Sequence, residues 1–441
     1  MTDSTARNTT LLVVAAAAVM LITTGIRQVS GLFVLPIIST TGMSIASVSL
    51  ALAIGQFMWG AMQPVFGALA DNYGAFRVVT FGALLLTIGL ALTTFAHSEI
   101  ALIATMGVLS AAGAAAGSFS ILIGGTARRL QPHQRSTAAG TINAGGSLGQ
   151  FVFAPIAQAT IATWGWAAAM FTLAVAALGT IPLALPLKNR VASGEVKGAA
   201  SPGAAVQNAP ARAAEGRHSS AARGTSANLA SGASAAEHVT LREQIRIAAH
   251  DPSYILLNIG FFTCGFHVAF LVTHFPGEIQ NCGLLPSVAA NSLAIIGLLN
   301  VAGSIGAGML GQRFRMKYLL AVIYGARAAM IAIYLLMPKT ATNIYLFAAG
   351  MGVTWLATVP PTSGIVGKLY GVRYLGTLFG LTLVSHQTGA FLGAWLGGVA
   401  MAHLHSYQWI WFADMALALG AALINLPIRE EKPVSRSAAA A

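Results

Sequence analysis

Three charged residues lie inside long apolar runs of the chain. Arg27, Arg327 and Asp414 are each flanked on both sides by side chains typical of a membrane-spanning helix. An ionisable side chain at the middle of a bilayer costs about 3 kcal/mol or more, so one found there faces a cavity or a partner. A guanidinium can hold a carboxylate through two parallel hydrogen bonds. These residues are therefore candidates for anion binding or for interior ion pairs.

Histidines and neutral polar side chains occupy the same apolar runs, namely His267, His274, His386, Gln28, Gln56, Asn300 and Gln387. His267 and His274 are seven residues apart and share one helix face, so His267 could bind substrate or pack against another helix, and His274 fits a gate. His386 titrates in a range useful for proton coupling, and Gln387 could complete a carboxylate site. Trp355, ahead of a Pro-Pro pair, could be an apolar wall for substrate or a packing residue.

Composition indicates what surrounds these residues. Of 441 residues, 56% are hydrophobic and 8% are charged, against about 25% charged in soluble domains. Apolar runs of about 20 residues, long enough to cross a bilayer as helix, recur along the chain. We predict an all-α membrane protein with twelve transmembrane helices over 11–37, 43–69, 78–97, 99–123, 137–160, 163–186, 252–276, 284–310, 318–337, 341–367, 374–399 and 407–427.

The net charge of +12 reports orientation rather than nucleic-acid binding. Of the 24 Lys and Arg residues, 13 lie in the tails and in alternate loops, and eight more lie in one central segment. Only Arg27, Arg327 and Lys339 lie elsewhere. Cytoplasmic loops carry such an excess of basic residues. The prediction is an inner-membrane protein with both termini in the cytoplasm and no nucleic-acid partner.

Two halves are predicted around the basic central segment. Residues 1–187 and 247–429 would each form a six-helix bundle, and 188–246 a cytoplasmic linker that ends in a short interfacial helix capped by Thr240, with 430–441 as a cytoplasmic tail. GALADNYGAFR at the end of predicted helix 2 and GMLGQRFR at the end of predicted helix 8 stand at equivalent places. This internal repeat predicts two pseudo-symmetric copies of one unit.

The stretch GALADNYGAFR resembles the cytoplasmic signature between helices 2 and 3 of the major facilitator superfamily. That resemblance implies a cytoplasmic gate built from Gly67, Asp71, Gly74, Arg77, Gly308 and Arg313. The segments around Arg27-Gln28, Cys264–Pro276 and Ser385–Gly393 are similar to the bacterial monocarboxylate-transporter-like branch. Predicted helix 8 lacks the Asp and Arg pair of the animal carriers, since 284–310 contains no charged residue. Their coupling mechanism is therefore not carried over.

The superfamily fold implies roles for the interior residues. Its helices 1, 4, 7 and 10 line the central cavity, with helices 2, 5, 8 and 11 beside them. Arg27, on predicted helix 1, is therefore expected to anchor an anionic substrate. The alternative is that Arg27 forms a structural ion pair or extends its side chain toward the membrane surface. Helices 9 and 12 are peripheral, which favours a structural ion pair between Arg327 and Asp414. A proton-carrying Asp414 is the alternative, and His386 is the other candidate for proton coupling.

The predicted function is secondary transport of a small organic anion, a monocarboxylate, by alternating access with proton symport. A rival is proton-driven efflux of hydrophobic or cationic compounds, which the absence of a basic residue in predicted helix 4 disfavours. An intramembrane enzyme or sensor is disfavoured because no catalytic residues, metal-ligand pattern or nucleotide motif are recognisable. No cofactor is expected, and the superfamily resemblance implies a monomer.

Overall fold

The computed structural model describes residues 2–127, 129–188, 240–371 and 374–430, and within these ranges it contains helices and no strand. The predicted all-α membrane fold is confirmed. Nine helical stretches of the described residues are long and apolar enough to cross a membrane, one of them the divided stretch Thr137–Leu187. The linker between 189 and 239 and the tail from 431 lie outside the described residues.

The first half contains six helical spans. They are α1 (Thr2–Gln28, then a 3₁₀ turn Ser30–Phe33 and Val34–Thr41), α2 (Ile45–Tyr73), α3 (Ala75–Thr93), α4 (Glu99–Leu102, a π-helical turn Ile103–Ser110, Ala111–Ala115 and Phe119–Ala127), and α5 and α6. The last two come from one stretch, Pro132–Leu178, which Gly165 divides with φ 84°, so that α5 covers 132–164 and α6 covers 166–178. Such a φ favours glycine, and the predicted loop between these helices shrinks to that residue.

The second half repeats this arrangement after a short connecting helix, Leu241–His250. Thr240 caps that helix, because its hydroxyl accepts the backbone N–H of Glu243 at 3.3 Å. The six spans are α7 (Pro252–Asn281), α8 (Pro286–Arg313), α9 (Met316–Leu336), α10 (Ala341–Thr354 and Val359–Tyr370), α11 (Leu375–Leu404) and α12 (Gln408–Asn425).

The helix α10 is broken in its middle, over residues 355–358. Pro360 and Pro361 explain the position of the break, since proline has no backbone N–H and its ring clashes with the preceding turn of a helix. The second segment begins at Val359, where proline in the first helical turn is tolerated. The break exposes backbone carbonyl groups inside the protein, and these need donors.

Thr2 and Glu430, the first and last described residues, lie at the same end of the bundle because an even number of spans separates them, and we call it the terminal end. There the Arg129 side chain at the end of α4 donates to the Pro186 carbonyl after α6 at 2.7 Å. In the second half, Arg429 after α12 lies 2.9 Å from the Asp251 carboxylate before α7. Each half therefore has its helix ends tied together at the terminal end.

The two halves touch along α2 with α11 and along α5 with α8. Near the opposite end, a Cβ added to Gly31 would lie 2.0 Å from the Val272 carbonyl oxygen, and one on Gly398 would lie 2.2 Å from Ser49. At the terminal end, Cβ atoms on Gly67 and Gly380 would meet nothing within 4 Å. The halves therefore meet at the opposite end and diverge toward the terminal end.

Candidate functional site

Arg27 lies in the last turn of α1, where the helix narrows into its 3₁₀ turn. Its Nη1 donates to Gln56 Oε1, and its guanidinium carbon lies 4.2 Å from the ring centroid of Trp59. Its Nε is buried without a hydrogen-bond partner. No carboxylate pairs with Arg27 among the residues that the structure describes. An amide and an aromatic ring thus hold a cation whose charge the surrounding protein leaves uncompensated.

Two further predicted residues surround this arginine. Gln28 follows it on α1 and is buried, with Oε1 unpartnered. Gln387 of α11 packs onto α2 beside Trp59, because a Cβ added to Gly60 would lie 2.3 Å from the Gln387 Cγ atom. The Gln387 Oε1 is also buried and unpartnered. Buried polar atoms are nearly always hydrogen-bonded, so these two acceptor oxygens require a donor that their described neighbours do not supply.

Asn300 of α8, predicted as a substrate-binding residue, makes contacts between helices in this structure. Its amide nitrogen donates to Ser147 Oγ of α5 at 2.9 Å, and its Oδ1 accepts the backbone N–H of Leu356 at 3.0 Å and Ser304 Oγ at 3.1 Å. The side chain therefore joins the two halves at the α10 break. Its Oδ1 is fully engaged, whereas the amide nitrogen uses one of its two N–H donors on Ser147 and keeps the other.

Arg327 of α9 supplies the donors that the α10 break requires. Its Nη2 donates to the Thr354 carbonyl and, at 2.7 Å, to the Trp355 carbonyl. Its guanidinium also lies 5.3 Å from the Tyr324 ring centroid. The last carbonyl groups of a helix form the negative end of its dipole, so a cation there is stabilising. Arg327 is fully buried, and its Nε and Nη1 atoms have no partner.

The predicted ion pair between Arg327 and Asp414 is not formed, and this is a correction. Asp414 Oδ2 instead lies 2.6 Å from His267 Nδ1, with both residues at most 1% exposed. Through Nη2 the Arg327 guanidinium is directed to the carbonyl groups of the α10 break, which leaves Nε and Nη1 without a partner, while His267 on α7 faces α12 and contacts Asp414. The sequence spacing showed that His267 shares a helix face with His274, but it did not show which neighbouring helix that face meets.

The other predicted residues of the second half lie around this pair. The Trp355 indole is fully buried and lies edge-to-face with His267 at 6.0 Å between centroids. The His386 ring lies 4.9 Å from Phe261, with Nδ1 unpartnered. His274 Nε2 is 2.7 Å from the Ala394 carbonyl oxygen, at the opposite end.

Sequence reasoning missed Trp59, whose ring holds Arg27. Its signal was available, because Gln56 and Trp59 are three residues apart on α2 and therefore share a helix face. It also missed Ser147, the partner of Asn300, and Thr358, whose hydroxyl lies 3.2 Å from the Cys264 sulfur. These contacts cross between distant helices, where spacing along one helix carries no information.

The predicted gate residues stand at the terminal end. Gly67, Asp71 and Gly74 line a cavity there together with residues of α4 and the loop after it, among them Gly124 and Arg129. The remaining gate residues are Arg77, Arg313 and Gly308. Both arginines are exposed, and a Cβ added to Gly308 would meet nothing within 4 Å. Gly308 and Arg313 thus have open space beside them in this structure.

Comparison with known proteins gives the family and the fold. The model of the Major Facilitator Superfamily matches residues 12–394. Rat monocarboxylate transporter 13 is 23% identical over 410 residues, covering 91% of this chain and 85% of that protein. The oxalate:formate antiporter of Oxalobacter formigenes is 22% identical over 381 residues, covering 85% of this chain and 82% of that protein.

Solved structures share this fold at low sequence identity. A D-xylose-proton symporter superposes with a TM-score of 0.68 at 12% identity and covers 96% of this chain and 99% of its own. A bacterial homologue of the human lysosomal transporter Spinster, in an inward-facing and unoccupied conformation, gives a TM-score of 0.63 at 15% identity and covers 95% of this chain and 93% of its own.

Proposed function

The chain belongs to the major facilitator superfamily and is a transporter rather than an enzyme, and from that premise we propose that it carries a small monocarboxylate across the membrane by alternating access. The observation that carries the proposal is the uncompensated guanidinium of Arg27. Its planar donors suit a carboxylate, because two parallel N–H groups can bond both oxygens at once. The stacked Trp59 holds that plane in place.

Charge counting favours a monoanion. Arg27 brings one positive charge without a partner, whereas Arg327 and Asp414, although not in contact, bring opposite charges to the interior of the second half. A single carboxylate would make the interior neutral. A dianion would add a second negative charge that Arg27 alone does not balance, and burying an unpaired charge is costly. The names of the related monocarboxylate transporter and oxalate:formate antiporter agree with a carboxylate substrate.

The opening at the terminal end supports a carrier that alternates between two states. If the termini are in the cytoplasm, as the distribution of basic residues favours, this conformation is the cytoplasm-facing state of a carrier that we place in a bacterial inner membrane. Arg27 and Gln387 then lie on facing halves, near the middle of the bundle. Rocking of the halves would close the terminal end by bringing the predicted gate residues together, and it would open the opposite end. Proton symport is the form of coupling that we propose.

The test is ligand-dependent thermal stabilisation of the purified protein with a panel of monocarboxylates, dicarboxylates, amines and neutral compounds. Monocarboxylates should raise the melting temperature of the wild type. R27Q should lose this response, because removing one partner of a buried charge pair costs about 2–5 kcal/mol, or roughly 30-fold or more in affinity. R27K keeps the charge but loses the planar donors, so it should bind more weakly than the wild type.

Arg246 provides the matched control, since it is an exposed arginine on the connecting helix that pairs with Glu243 three residues away. R246Q removes the same charge and should keep the wild-type response. Stabilisation by cationic or neutral compounds alone would replace the proposal with the efflux function. Equal carboxylate affinity in R27Q and R246Q would remove Arg27 from the binding site.

A further inference from the structure

Buried polar atoms without hydrogen-bond partners are concentrated around the α10 break. They are His267 Nε2, Asp414 Oδ1, Arg327 Nε and Nη1, Trp355 Nε1, Tyr324 Oη and His386 Nδ1. Most of these residues are joined in one chain of contacts, from Asp414 to His267, from His267 to Trp355, and from the Trp355 carbonyl to Arg327 and Tyr324. Buried atoms of this kind are rare, and each requires an explanation.

The pairing of His267 with Asp414 defines which ring nitrogen is basic. When His267 is neutral, its Nδ1–H donates to Asp414 Oδ2 across 2.6 Å, so the lone pair of the ring is on Nε2. That nitrogen is buried and has no donor beside it. A carboxylate on the far nitrogen also stabilises the imidazolium that forms when Nε2 takes up a proton. The geometry therefore presents one base, in one tautomer, inside the membrane.

We propose that Nε2 of His267 is the proton-binding site of the carrier and that Asp414 is its positioning residue. The proposal rests on the proposed carboxylate transport for what accompanies the proton. One proton added to Nε2 turns the neutral ring into a cation, and one monocarboxylate brings one negative charge. Each transport cycle then moves no net charge.

Other groups face this pair from each neighbouring helix. Arg327 of α9 opposes protonation by like charge, and Asp414 of α12 favours it. Tyr324 of α9, His386 of α11 and, on α7 itself, Cys264 and His274 are the remaining titratable side chains nearby. His386 contacts Phe261 and has no carboxylate partner among the described residues. Among the interior histidines, a carboxylate thus fixes the tautomer of His267 alone.

The position of His267 also links the proton to movement. Its ring meets the edge of Trp355 within the α10 break, and the Trp355 carbonyl is bonded to Arg327. A second positive charge on His267 would repel Arg327, and such repulsion is strong where water is scarce. Because His267 is 1% exposed, the proton can reach it only when the break opens or water enters.

The test uses proteoliposomes containing H267Q, with two assays run side by side. Uptake driven by an acidic exterior reports coupling, and exchange of labelled for unlabelled carboxylate reports carrier movement without net proton transfer. A gradient of one pH unit supports about tenfold accumulation for one proton per substrate. The wild type should approach that value. H267Q should only equalise the carboxylate concentrations inside and outside the liposomes, while its exchange of labelled for unlabelled carboxylate persists. D414N keeps an acceptor for Nδ1–H but lacks the charge, and should lower accumulation in the same way.

The matched control is H403Q, which removes an exposed histidine near the end of α11 and should accumulate like the wild type. A third variant, H386Q, tests the rival base. The proposal is overturned if H267Q still accumulates carboxylate along the pH gradient. It would then be replaced by His386 as the base if H386Q has lost that accumulation.

A substrate-free measurement separates this inference from the proposed function. Acid-minus-alkaline infrared spectra of the purified protein should show histidine ring bands that H267Q lacks and H403Q retains. If the wild type transports no carboxylate while these bands depend on His267, the carboxylate function fails and the proton site stands. If transport works and the bands are the same in H267Q, the proton site fails alone.

Discussion

Substitution of Gly31 should shift the protein away from the state described here. Gly31 lies in the 3₁₀ turn of α1, where a Cβ would be 2.0 Å from the Val272 carbonyl oxygen and 2.8 Å from that of Thr273. Both are backbone atoms of α7 in the other half, so they cannot rotate away. Overpacking of this kind costs about 1–3 kcal/mol, which G31A would avoid by separating the halves at the opposite end. The corresponding shift in population is roughly 5- to 150-fold.

Spin-label distances measure this shift. One pair replaces Tyr73 and Phe314, exposed at the terminal end on α2 and after α8, and the other replaces Phe95 and Leu285, exposed at the opposite end. Cys264 and Cys282 are first changed to serine, since they are the two native cysteines. In G31A the distance between labels at the terminal end should shorten, and that at the opposite end should lengthen.

The control substitution is G306A on α8, where a Cβ would meet nothing within 4 Å. It should leave both distances near their wild-type values or favour the opening at the terminal end. If G31A lowers the melting temperature but keeps the wild-type distances, the strain is not relieved by separating the halves. Reasoning from the contacts at the opposite end to alternating access would then be wrong.

Two stability predictions concern the α10 break. N300L should lower the free energy of unfolding by about 1–3 kcal/mol, because the Leu356 N–H would be left without its acceptor. Denaturation of the protein in detergent measures this loss, and a denaturation curve like that of the wild type would refute the link between Asn300 and the break. R327M should cost about 1–3 kcal/mol, since it leaves the Thr354 and Trp355 carbonyl groups without their donor. Because Arg327 and Asp414 bring opposite charges to the same buried region without touching, R327M/D414N should lose less than the sum of the two single losses, whereas additive losses would show that the two charges do not interact.

Apolar spacing along the chain was sufficient to predict the helices. Predicted helix 2 at 43–69 corresponds to α2 at Ile45–Tyr73, and predicted helix 7 at 252–276 corresponds to α7 at Pro252–Asn281. The differences arise where the backbone departs from a regular helix. Gly165 makes the turn between α5 and α6 with one residue, and the proline pair breaks α10 inside what the sequence showed as one span. Hydropathy averages over such local departures.

The candidate site was predictable as a set of residues but not as a set of partners. Hydropathy identified Arg27, Arg327 and Asp414 because a charge in an apolar run is conspicuous. Partner choice depends on which carbonyl groups and which helix faces meet. Arg327 directs Nη2 to the carbonyl groups that the α10 break exposes, and Asp414 pairs with His267 because α7 presents that ring to α12. A rule that pairs opposite charges omits backbone acceptors, and this is where the prediction failed.

The distribution of interior charge suggests why a proton would not be carried alone. In the empty protein Arg27, Arg327 and Asp414 give a net interior charge of +1 with His267 neutral. A carboxylate at Arg27 brings this to zero, and a proton then restores +1. A proton without the carboxylate would give +2, the form that is most costly to bury. Proton leak through the unloaded carrier should therefore be suppressed.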